Sequence, residues 1–96
     1  MSYTLEIQQE ALIELQLAYK WYQEQRVGLG EELIEEIENS LVSIGADPER
    51  YGYVRESNFY RRIRVSRFPY MIVYEIEGSV VIVNSVVHFK RDKRFL

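Results

Sequence analysis

Ninety-six residues with a net charge of −3 and no cysteine suit a single domain spanning 1–96 that buries one modest core without covalent help. They exclude disulfide frameworks, thiolate metal sites and cysteine nucleophiles, and the cytoplasm is the expected setting. Met1 to Gln8 lacks the basic start and apolar run of a secretory signal, and no stretch approaches the roughly 20 apolar residues of a membrane span.

Tyr3, Leu5 and Ile7 alternate with Thr4 and Glu6, which predicts a short first strand. From Gln8 to Arg26 there is neither Gly nor Pro, and Ala11, Leu15, Ala18 and Tyr22 recur at helical spacing, with Leu12 and Tyr19 widening the stripe. This is an amphipathic helix with Glu10, Glu14, Lys20 and Glu24 on its wet side; Trp21 and Tyr22 read as packing anchors. Gly28-Leu29-Gly30 interrupts it. A second helix follows, with Leu29, Leu33, Ile37, Leu41 and Ile44 on its apolar face, Glu31 and Glu32 at the positive end of its dipole, and Gly45 as a left-handed terminator before Asp47-Pro48. The short connection predicts a helical hairpin. The carboxylates of Glu31, Glu32, Glu35, Glu36 and Glu38 read as a solvated face, since no converging metal-ligand partners accompany them.

Residues 46–58 hold turn formers and no clear period, so they read as an irregular connection. The interleaved Arg50, Tyr51, Tyr53 and Arg55 either pin this loop to the domain or offer stacking surfaces to bases. Phe59 to Ser66 alternates Arg62, Arg64 and Ser66 with Ile63 and Val65, a strand with two arginines on one face. Phe68 to Glu77, with Tyr70, Ile72, Tyr74 and Ile76 interleaved with Met71 and Val73, is apolar on both faces and reads as central. Gly78-Ser79 marks a turn, and the β-branched run from Val80 to Phe89 continues the meander. The chain ends in HFKRDKRFL, a basic tail in which Phe89 and Phe95 could serve as anchors.

The order β-α-α-β-β-β predicts an α+β domain: a helical hairpin packed on one face of a mainly antiparallel sheet, the other face partly open. If Ile63 and Val65 meet the helices, Arg62 and Arg64 line that open face. Charge agrees: residues 1–49 hold eleven acids and two bases, net −9, and residues 50–96 four acids and ten bases, net +6. A basic working surface for an anionic partner is one reading of this split; two solvated faces is the other. His88, the single histidine, is the candidate for general acid-base chemistry, with Arg62, Arg64, Arg67 and Arg91 as candidate anion- or target-binding groups. Asn84 and His88 share one strand parity and Ser85, Val87 and Phe89 the other, so a bulge decides which group joins the arginines. There is no phosphate-binding glycine loop, cofactor motif, metal-ligand spacing or serine elbow.

WYQEQRVGLGEEL, YRRIRV, RFPYMIVYEIE and VVHFKRD, in that order, resemble the RelE/ParE superfamily of type II toxin-antitoxin toxins over nearly the whole length. The resemblance implies a small cytoplasmic toxin held inactive by a cognate antitoxin. RelE-type members are messenger ribonucleases that act on the ribosome and use basic residues matched by Arg62 and Arg64. They usually carry an arginine just after the tyrosine matched by Tyr70, where this chain has Met71, and an arginine or tyrosine where Phe89 stands. His88 matches a histidine of some ribonuclease members. The long hairpin and the His88-x-x-Arg91-Asp92 ending resemble ParE-type members, which share the fold and act on DNA gyrase. The expectation is therefore a toxin that binds its target, with ribosome-dependent mRNA cleavage and a non-toxic antitoxin-binding module as alternatives.

Overall fold

In the computed structural model, which describes residues 3–91, the order is β1 (Thr4–Ile7), α1 (Gln9–Gln25), α2 (Leu29–Ala46), β2 (Arg61–Arg64), β3 (Tyr70–Glu77) and β4 (Val80–His88). Asp92 and the tail anchor expected at Phe95 lie outside the described residues. The α+β expectation holds, with the sheet mixed: strand order is β1-β4-β3-β2, antiparallel at β2/β3 and β3/β4 and parallel at β1/β4. β3 is central, as its two apolar faces require.

α1 buries Ala11 and Ala18 and packs Leu15 and Tyr22 beside them, matching the predicted stripe. Trp21 departs from expectation. Its ring stands against Tyr22 but remains about half exposed, in line with Ile13 and Leu17 on the outward face. The left-handed glycine of the helical hairpin is Gly28, at φ 94° just before α2, and not Gly45, which stays helical. Burial of Ile44 in the core carries the helix past Gly45, and Pro48, which has no N–H to extend the ladder, follows the C-cap at Asp47. Gly30 has a separate role. A Cβ there would stand 2.9 Å from the Tyr19 carbonyl oxygen, so the hairpin closes at this point only because the side chain is missing.

The main core lies between the helices and one sheet face: Leu33, Ile37 and Ile44 meet Ile72, Tyr74, Val81, Val83 and Val86. Tyr74 is fully buried and donates its hydroxyl to the Pro48 carbonyl at 2.7 Å, tying the 3-10 turn Pro48–Arg50 to the sheet. Burial raises its pKa far above the ordinary tyrosine value. The opposite face carries a smaller cluster, Val54, Met71, Val73 and Val87, with Phe89 at its margin. The connection 47–60 is irregular apart from that turn, and Tyr53 bridges to Arg61 beside β2. No helix among the described residues is long and apolar enough to cross a membrane.

Candidate functional site

The bulge anticipated in β4 falls at Asn84, where the register against β3 shifts: Val73 faces Ser85, but Tyr74 faces Val83. Beyond it Ser85, Val87 and Phe89 share the outer sheet face with Met71 and Val73. Val86 and His88 turn toward the helices with Ile72 and Tyr70. Ile63 on β2 and Val65 just after it join the helix-side core, so Arg62 and Arg64 project outward. The structure brings Arg62 and Arg64 together on one face and places His88 on the other.

On the outer face Arg64 pairs with Met71, which pairs with Val87, so the centre of this surface is thioether and methyl. The Arg64 guanidinium lies 4.1 Å from the centre of the Phe89 ring. Stacking satisfies the flat face of a guanidinium and leaves its N–H edge available to an oxyanion. A shallow pocket of about 330 Å³ adjoins the stack, bordered by Arg64, Arg67, Pro69, Phe89 and Lys90.

Arg67 sits differently from the other candidate arginines. It donates to Glu32 Oε1 at 2.6 Å and lies 3.5 Å from Glu36 Oε2, while the other Glu32 oxygen is 2.9 Å from Arg26. The hydrogen bond from Arg67, followed by that from Arg26, holds the Glu32 carboxyl below its ordinary range. Thus the acidic row of α2 is not solvated throughout: Glu32 and Glu36 hold the β2–β3 turn, and Glu31 accepts from Tyr19 and Gln23.

Behind β4, His88 and Arg91 border a second groove of about 340 Å³ with Glu14, Leu17, Trp21 and Tyr70. The His88 ring meets Tyr70 edge-on at 5.1 Å, and His88 Nδ1 accepts from the Lys90 N–H at 3.3 Å. Burial, then the neighbouring Arg91 charge, push the imidazole pKa down. Glu14, expected on the wet side of α1, instead accepts the Val86 N–H at 2.9 Å, where β1 has ended and β4 continues without it. Arg61 was missed. It donates to the carbonyls of Glu49 and Tyr51 and to the Tyr53 hydroxyl, and so joins Tyr74 in pinning the 46–58 loop. Its parity with Ile63 was the available signal, because an arginine on an inward-facing position must find carbonyls. Among the described residues no cluster could hold a metal ion.

A family description, ParE toxin of type II toxin-antitoxin system, parDE, matches residues 5–93. The chain belongs to this family. Its fold is similar to that of the chromosomal ParDE system of P. aeruginosa, at TM-score 0.78 and 14% identity over 91% of this chain and 96% of that one. A free RelE toxin variant from E. coli gives TM-score 0.71 at 24% identity, covering 97% and 90%. The toxin-antitoxin complex RelBE of E. coli gives 0.67 at 24% identity, covering 88% and 94%. No curated protein matches the chain by sequence.

Proposed function

We propose that this ParE-family toxin arrests growth by binding a target such as DNA gyrase, and that a cognate antitoxin neutralises it. The observation that carries this reading is the separation of His88 from Arg62 and Arg64 by the thickness of the sheet, with Met71 between the arginines' strand and β4. General acid-base cleavage of a phosphodiester needs proton-transfer and charge-stabilising groups around one reacting centre. A basic face with an aromatic stack needs only a complementary surface.

Induced expression without antitoxin tests it. Growth arrest with altered plasmid supercoiling is expected; normal growth and supercoiling with folded protein present would sink the proposal and leave an antitoxin-binding module. Defined messenger breaks abolished by His88→Ala would instead establish a ribosome-dependent ribonuclease. For the antitoxin, acidic groups are expected against Arg62 and Arg64, with Arg91 on the other side of β4. Replacing both Arg62 and Arg64 by Ala should slow association and flatten its salt dependence.

A further inference from the structure

We propose that Arg67 is a positioning residue that fixes the Arg64–Phe89 stack from the helical layer. Its backbone is left-handed at φ 70°, a conformation that L side chains rarely adopt, so the turn is held there by its surroundings. Those surroundings are on α2: Glu32 and Glu36, one helical turn apart, take the two ends of the Arg67 guanidinium, and Glu32 also bridges to Arg26 at the end of α1. The turn transmits that position onward. Two residues later the Pro69 carbonyl accepts the Phe89 N–H at 3.0 Å, which sets the end of β4 against the turn, and the Phe89 ring then lies under Arg64.

A continuous set of bonds therefore runs from the helical hairpin through the β2–β3 turn to the Arg64–Phe89 stack at the margin of the outer-face cluster. Arg67 borders the pocket beside that stack, yet its guanidinium is committed to the α2 carboxylates. Its contribution to binding is to hold Arg64 and Phe89 in register before any partner arrives. That the stack is a binding surface rests on the function proposed above; the linkage can be read in the free protein.

The experiment follows the δ protons of Arg64 by NMR, which the Phe89 ring current moves upfield. Arg67→Gly permits the same φ without the latch, and Glu32→Gln combined with Glu36→Gln keeps Arg67 but removes the charged acceptors. In both, the Arg64 shift should fall by more than half while the methyl signals of Ile44 and Val81 stay in place; Arg67→Lys should keep most of it. Raising ionic strength should move the parent protein toward the variants, because exposed pairs are screened. An Arg64 shift unchanged in both variants overturns the proposal. In cells, Arg67→Gly should need more inducer to arrest growth, as Arg64→Ala should. If the parent chain fails to arrest growth, the functional reading fails while the NMR comparison still decides the linkage.

Discussion

The two faces of the sheet are built to different standards. Toward the helices, Leu33, Ile44, Ile72, Tyr74 and Val81 are wholly buried, and polar groups that enter are tied down, as Tyr74 is to Pro48. On the outer face the buried residues are the small cluster Val54, Met71, Val73 and Val87 with Ser85 beside it, Phe89 is half-covered, and arginine occupies the neighbouring strand. The first face supplies stability and the second keeps apolar and cationic surface near water. The same three strands serve both, because alternation gives each residue one face and one bulge at Asn84 resets the assignment on β4.

The sharpest way to break this comparison is truncation on the closed face. Ile44→Ala should cost about 2–5 kcal/mol in denaturant unfolding, since the lost transfer energy is joined by a cavity that rigid neighbours cannot fill. A smaller loss would mean that the helix side is looser than its burial indicates. Gly30→Ala comes next: despite alanine's better helix propensity, the contact with the Tyr19 carbonyl should force the helices apart and cost about 1–3 kcal/mol. A stabilised variant would refute the close crossing. Tyr74→Phe leaves the Pro48 carbonyl without its donor and should cost about 1–3 kcal/mol, visible also as faster amide exchange around Glu49 and Arg50.

The smallest effects are the titrations. His88 has a lowered folded pKa, so the folded state binds fewer protons than the unfolded one in this range. Its contribution is present above the ordinary histidine value and is lost as pH falls through the folded value. Arg91→Gln should raise the NMR midpoint of His88 without restoring it fully, because burial is the larger cause. Glu32 follows the same sign at lower pH: its stabilisation holds above the ordinary carboxylate value and disappears as acid carries it through its depressed one. Unfolding midpoints measured in acid steps, with Glu32→Gln as control, would separate the two groups.

Most of the framework was legible because periodicity reports burial. The stripes of α1 and α2, the outward parity of Arg62 and Arg64, and the central place of β3 follow from which residues must avoid water. Three features were not. Parallel pairing of β1 with β4 depends on where a distant strand edge lies, which local alternation does not encode. Placing His88 required the position of one bulge, a difference of a single residue. Arg67 looked like its neighbours because sequence shows charge, whereas the carboxylates that engage it stand on α2, far earlier in the chain.

The pairing of β1 with β4 also orders events during synthesis. The chain leaves the ribosome N-terminus first, so Thr4–Ile7 emerge before their partners Val80–Val83 and wait for them. Phe89, which completes the outer-face stack, arrives later still. The Arg64–Phe89 stack is consequently completed only after the strands beneath it have all emerged.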